Sequence, residues 1–169
     1  MTGRRAGRAL LAGGLLVTLL ATGCGVRPSD VITGRSATTG PAAGAALYLL
    51  SHGRPTLVIR DTKARSGVSP EKTLGMLAAG PDESERSQGF VSEVPAGLVP
   101  ASLVTSNADG SGGTVTMTGA VLPLSAAAAD QIICTLAGAV ALTGQGNSFS
   151  PVTIAGPDGA RPPRPCPIK

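Results

Sequence analysis

The chain has 169 residues, which suits one domain of ordinary size, and only 14% of them are charged. Its formal net charge is +4, but Arg4, Arg5 and Arg8 stand in an acid-free leader, so the rest is nearly neutral and implies no polyanion-binding surface. With no Trp, one Tyr and two Phe, the chain lacks the side chains on which bases and sugars stack. Nucleic acid is therefore not an expected partner, and one His with three Cys leaves little for metal or acid–base chemistry.

The first 23 residues have the pattern of an export signal. A short basic stretch ends at Arg8, and the apolar run Ala9–Ala21 follows it. This run is shorter than the roughly 20 residues that a membrane-spanning helix needs. Residues 1–23 are therefore predicted to be a secretory signal peptide.

The end of this leader resembles the lipobox of bacterial lipoproteins. It reads Leu20-Ala21-Thr22-Gly23-Cys24, with Ala21 where Leu, Val or Ile is usual. The resemblance implies that Cys24 takes a diacylglycerol and anchors the mature chain to the extracytoplasmic face of the cell membrane. Ordinary cleavage after Gly23 is the alternative. Lipidation is favoured because it leaves Cys134 and Cys166 as an even pair in a compartment where disulfides persist.

The first half of the mature chain predicts a tether, a hairpin and a helix. Residues 24–44 are rich in Gly, Ser, Thr and Ala, which is typical of a flexible tether. The apolar runs Ala45–Ser51 and Thr56–Asp61 predict a β-hairpin with its turn at Gly53. Ser69-Pro70-Glu71 then predicts a helix start, and Gly80-Pro81 its end.

The second half repeats this pattern. Asp82–Gln88 is a polar segment with room for one helical turn, and Val91–Val94 is short and extended. A second hairpin, Leu98–Ser106 with Thr114–Thr118, surrounds a glycine-rich turn. The remaining predicted elements are a helix from Ser125 to about Val140 with Ile132, Ile133, Leu136 and Val140 buried, a strand Val152–Ala155, and a proline-rich tail over 160–169.

This element order predicts an α/β chain of the α+β type. We expect a two-layer sandwich of about five strands, with two helices packed on one face, over residues 45–159.

Three segments together resemble the GerMN domain of sporulation and spore-germination lipoproteins. The opening strand Ala45–Leu50 is one, and Leu77–Gly97 matches best, with a Leu-x-x-Gly-Pro motif, an acidic stretch and a Pro-x-Gly turn. Ala129–Leu136 resembles the second helix of that domain, with its Gln-Ile…Thr signature at Gln131, Ile132 and Thr135. The resemblance implies a surface-anchored α/β domain without established catalytic residues.

Several clusters invite a chemical interpretation that their context does not favour. Ser51, His52 and Asp61 include the residue types of a hydrolase triad, but a hairpin tip offers no strained nucleophile turn or oxyanion hole. The acids Asp82, Glu83 and Glu85 lack the spacing of a calcium loop. The glycine-rich segment 109–113 leads into a strand, whereas a phosphate loop leads into a helix.

Cys134 and Cys166 are predicted to form a structural disulfide between the second helix and the tail. A metal site would need further ligands, and a redox pair is usually closely spaced. We therefore expect no catalytic site, metal or cofactor. The predicted function is that of a non-catalytic interaction module in a cell-envelope complex concerned with sporulation or signalling. Direct binding of peptidoglycan or another wall polymer is the alternative.

Overall fold

The computed structural model describes residues 44–62, 67–104, 112–143 and 151–168. These residues form an α+β fold, which confirms the predicted class. In chain order the elements are β1 (Ala45–Ser51), β2 (Arg54–Arg60), α1 (Pro70–Ala78), α2 (Glu83–Ser87), β3 (Pro100–Val104), β4 (Gly113–Met117), α3 (Ala126–Thr143), β5 (Val152–Gly156) and β6 (Gly159–Ala160).

The strands lie in two sheets, whereas the sequence analysis expected one. β1 and β2 form an antiparallel pair, and the second sheet has the order β3-β4-β5-β6, with β4 and β5 parallel. Within the described residues there are thus six strands and three helices, against the expected five and two. The additional elements are the short helix α2, inside the polar segment, and β6, which pairs with β5 where the tail was expected to begin.

Local turn chemistry explains the predicted ends of the first elements. His52 and Gly53 have φ angles of 51° and 74°, the two positive values that a type I′ hairpin turn requires. Ser69 accepts a hydrogen bond from the backbone N–H of Lys72 and caps α1, with Pro70 in the first helical position. Past the end of α1, Gly80 has a φ of 81°, as the sequence pattern predicts.

Helix α3 is the centre of the core. Ser125 Oγ accepts a hydrogen bond from the N–H of Ala128 and caps the helix. By length and composition α3 is apolar enough to cross a membrane, but 61% of it is buried inside the fold, as expected of a core helix. It packs on α1, β1 and β5. The buried cluster includes Leu47, Leu49, Leu74, Leu77, Val115, Ile132, Ile133, Leu136, Val140 and Ile154.

Candidate interaction surface

The predicted lipidation site is not among the described residues. Cys24 and the leader 1–23 lie outside them, as does the tether up to residue 43.

A disulfide joins Cys134 of α3 to Cys166 of the tail, with the two Cα atoms 4.8 Å apart. Cys134 is completely buried, and Cys166 packs against the core. The tail is also held by backbone hydrogen bonds between Val152 and Arg164, and by an ion pair from Arg164 to Asp130 of α3. These contacts attach the proline-rich tail to the domain.

The residues of the hypothetical triad do not come together. Ser51 pairs with Arg54 at the tip of the hairpin, whereas Asp61 follows Arg60, which pairs with Ala45 at the opposite end. At about 3.3 Å per residue, the strand separates Asp61 from His52 by roughly 20 Å. Asp61 therefore lies at the end of the hairpin far from His52 and cannot orient its imidazole.

The acidic segment is a structural cap. Asp82 and Glu85 form a capping box at the start of α2, in which each side chain accepts a hydrogen bond from the backbone N–H of the other residue. Glu85 is buried and also binds Arg60 of β2, with Nη2 2.5 Å from Oε2. In the described part of the chain, no group of three potential metal-ligating side chains lies close enough to hold an ion.

The described end of the glycine-rich segment also has a packing role. Gly112 has a φ of 106°, and a side chain there would collide with the carbonyl oxygen of Pro151. Its neighbour Gly113 donates a backbone hydrogen bond to the same oxygen. Residues 105–111 lie outside the description.

Two polar side chains of α3 cover one edge of β1. The backbone N–H of Tyr48 donates to Thr135 Oγ1 at 2.9 Å, and Gln131 Nε2 donates to the carbonyl of Tyr48 at 3.0 Å. Gln131 Oε1 also accepts from the N–H of Glu93, and Leu50 exchanges two backbone bonds with Val91 on the same edge. Gln131 and Thr135, two of the residues that carry the GerMN resemblance, are completely buried and take the place of a neighbouring strand.

Within the described residues, the opposite edge of the hairpin is open. Tyr48 and Leu50 direct their backbone N–H and C=O groups away from β2. In an antiparallel ladder, their cross-strand partners Leu57 and Pro55 then direct their own backbone groups outward, away from β1. Ile59, two residues along, points the same way. The sheet ends at β2, so these outward groups have no strand partner among the described residues.

Apolar side chains stand beside this open edge. Leu57 and Ile59 are 49% and 52% exposed, although they occupy the middle of a seven-residue strand. They share a face with Tyr48, the cross-strand partner of Leu57, whose ring lies over Gly138 of α3. The sequence analysis missed this surface. Its signal was the run Leu57-Val58-Ile59, which leaves apolar side chains on both faces of one strand.

Opposite charges stand at the two ends of the open edge. Arg54 at the start of β2 and Asp61 just after its end are both exposed. Neither belongs to an ion pair within the described residues, whereas Arg60 is occupied by Glu85. We call the open edge of β2, with Leu57, Ile59, Arg54 and Asp61, the hairpin edge.

A cavity of about 240 Å³ between α3, β5 and the tail is less suited to a ligand. Its polar side chains are Arg161 and Arg164, and both are occupied. Arg161 Nη1 donates to the carbonyls of Val121, Leu122 and Leu124, and Arg164 binds Asp130. The hairpin edge is therefore the better candidate for a functional surface.

Comparison with known proteins adds no relative: no family model matches the chain, and neither a curated protein nor a solved structure resembles it significantly.

Proposed function

We propose that this chain is a lipid-anchored extracytoplasmic protein whose GerMN-like domain acts as a non-catalytic interaction module in a cell-envelope complex. In this proposal Cys24 carries the lipid, and the hairpin edge is the docking surface. The sporulation or signalling context comes from the family resemblance alone.

The hairpin edge is the observation that carries the proposal. A strand with unpaired backbone groups and exposed apolar side chains can bind a partner by strand addition, in which backbone bonds supply affinity and side chains supply specificity. Soluble domains usually protect such an edge with charged side chains, prolines, bulges or a covering loop, and in β2 the proline and the free charge stand at the turn end, at Pro55 and Arg54. Here Leu57 and Ile59 remain exposed, and β2 pairs regularly with β1.

The roles of the resemblance residues support the GerMN-like part of the proposal. Gly80 and Pro81 follow a helix end, while Gln131 and Thr135 cover the edge of the opening strand. Gln131 connects the three segments that carry the resemblance, because this residue of the third segment bonds Tyr48 in the first and Glu93 in the second.

In-cell crosslinking of the membrane-anchored chain, followed by mass spectrometry, tests the proposal. We expect an envelope protein to be recovered reproducibly with the native chain and lost with Leu57→Lys. Leu122→Lys is the matched control, because Leu122 is similarly exposed, at 51%, outside the hairpin. Recovery of wall glycan fragments without protein, or of the same proteins from both variants, would contradict the proposal.

The mass of the N-terminal peptide tests the anchor separately. We expect Cys24 to be the first residue and to carry a diacylglycerol. An unmodified N-terminus at Cys24 would refute lipid anchoring and leave the docking surface to be judged by the crosslinking.

A further inference from the structure

We propose that the hairpin edge binds a second copy of this chain, with the two β2 strands antiparallel about a twofold axis at Val58. The inference rests on the proposed function, because it names the partner that occupies the docking surface. It would extend each two-stranded sheet into one four-stranded sheet shared by two copies.

The hydrogen-bonding pattern selects this register. A twofold axis at Val58 places Leu57 of one copy opposite Ile59 of the other. Both residues point their backbone groups outward, so each such pair exchanges two hydrogen bonds. The same pairing places the two apolar side chains side by side on the face that carries Tyr48.

Proline and charge disfavour the neighbouring register. An axis at Leu57 would place Pro55, which has no N–H, opposite Ile59 of the second copy and lose a hydrogen bond at each end. It would also set Arg54 directly opposite Arg60, and like charges in that position are destabilising. The axis at Val58 instead places Pro55 opposite Asp61, so the missing N–H falls in the outermost pairs and the two central pairs keep all four bonds.

The charges of the hairpin edge are self-complementary. Antiparallel pairing brings Arg54 of each copy to the end of the strand where Asp61 of the other stands, one register position apart and on the other face of the sheet, so the two charges attract without lying directly opposite each other. Both side chains are exposed, and neither is in an ion pair within the described domain. This attraction favours antiparallel over parallel pairing of the two copies, whereas the register itself is selected by the backbone hydrogen-bonding pattern.

Pairing of this kind suits a membrane-anchored protein. An interface of one strand and a few side chains is smaller than the roughly 1,200–2,000 Å² typical of stable complexes. Tethering two copies to one membrane raises their effective concentration and favours such a weak contact. We therefore infer that the dimer forms mainly on the membrane.

Site-specific photocrosslinking in cells tests the inference. A photoreactive residue replaces Leu57 in the full-length anchored chain, and the same residue replaces Leu122 as the control. We expect a product of twice the chain mass from position 57 and not from position 122. A product with a different envelope protein alone would overturn the second-copy inference and leave the proposed function standing, while no product at position 57 would overturn both.

A second assay measures the yield of dimer after chemical crosslinking with a reagent that does not react with lysine. Three variants in this assay test the role of the backbone edge. Ile59→Pro removes an outward N–H and keeps the bonds between β1 and β2, so we expect dimer yield to fall about tenfold or more. Leu57→Lys should reduce the yield to a similar extent, whereas Leu122→Lys should not. If Ile59→Pro fails to fold, the two lysine variants decide, and equal yields from them would overturn the inference.

Discussion

At the scale of single residues, Gln131 and Thr135 show how side chains can replace a strand. An exposed strand edge can be covered by another strand, by water or by side chains. Here the amide of Gln131 satisfies the carbonyl of Tyr48 and the N–H of Glu93, while Thr135 satisfies the N–H of Tyr48. Gln131 and Thr135 are completely buried and Tyr48 is half-buried, so the bonds to Tyr48 prevent unsatisfied polar atoms at the margin of the core, whereas Glu93 is exposed.

Replacing Gln131 by Leu should therefore destabilise the fold. The substitution keeps an apolar body of similar size but leaves the carbonyl of Tyr48 and the N–H of Glu93 without their partner. We expect the free energy of unfolding to fall by about 1–3 kcal/mol, mainly because the carbonyl of Tyr48 loses its partner, and urea denaturation followed by circular dichroism would measure this. A loss below experimental error would show that water replaces the amide.

Thr135 offers a test with an internal control. Thr135→Val removes the acceptor for the N–H of Tyr48 and should reduce stability by about 1–3 kcal/mol. Thr143→Val makes the same change in the same helix, but Thr143 bonds only carbonyls of its own helix, at Ala139 and Val140. Similar losses from the two variants would argue against the edge-capping role.

Asp158 gives the fold a specific pH dependence. Its carboxylate accepts hydrogen bonds from the backbone N–H of Val121 and, through its second oxygen, of Leu122. The bond from Val121, aided by that from Leu122, holds the pKa of Asp158 below its ordinary value despite some desolvation. The associated stability is fully present above the unfolded-state pKa of about 4 and is lost as the pH falls through the lower folded-state pKa.

We therefore expect Asp158→Asn to lower Tm at neutral pH and to reduce the decline of Tm on acidification. Melting curves between pH 7 and pH 2.5, read by circular dichroism, would measure both effects. Curves for the native chain and the variant that run parallel through the acid range would contradict the assignment.

At the scale of elements, an ion pair and a disulfide join elements that share no strand pairing. The Arg60–Glu85 ion pair connects β2 to α2 on the inner face of the hairpin. The outer edge of β2 has no strand partner within the described residues. The disulfide ties the tail to α3 across a sequence separation of 32 residues. The tail in turn pairs with Val152 of β5.

Removing the disulfide should destabilise the domain measurably. In the chain-entropy account, closing a loop of this length contributes about 3–4 kcal/mol. We expect Cys134→Ala/Cys166→Ala to lower the urea midpoint accordingly, and the native chain under reducing conditions to match it. An unchanged midpoint in both samples would show that the tail packs without help from the disulfide.

The elements that the sequence predicted best are those with local causes. The His52-Gly53 turn, the Ser69-Pro70 start of α1 and the Gly80 stop each depend on residues within a few positions. The division into two sheets depends instead on contacts between residues far apart, such as the bond from Tyr48 to Thr135 over 87 positions. Hydrophobic periodicity shows which face of a strand is buried, but not what covers its edges.

The difference between local and long-range causes also explains why the sequence did not predict the hairpin edge. The sequence predicted the hairpin, and the apolar run of β2 was visible in it, but whether Leu57 and Ile59 are buried depends on what else joins the sheet. Because α3 and Val91 cover the β1 edge, β2 is left on the outside. Conversely, Ser51, His52 and Asp61 carry reactive groups but lie at opposite ends of the hairpin.

At the scale of the whole molecule, the proposed anchor and the buried helix lead to different expectations about the membrane. Helix α3 is long and apolar enough to span a bilayer, but it supplies much of the core, with Ile132, Ile133 and Leu136 buried. Inserting it into a membrane would require the domain to unfold. Attachment should therefore depend on Cys24 alone.

A chain with its first 23 residues exchanged for an ordinary secretory signal, and with Cys24→Ser, tests this expectation. We expect it to be exported, to leave the membrane fraction entirely and to melt at the same temperature as the anchored chain, since the core is made of residues in the folded domain. The control keeps the native leader and Cys24 and should stay with the membrane until detergent is added. Resistance of the exchanged chain to extraction without detergent would contradict this expectation. It would indicate a membrane-inserted helix in place of the lipid anchor, and the folded core built around α3 would then be wrong.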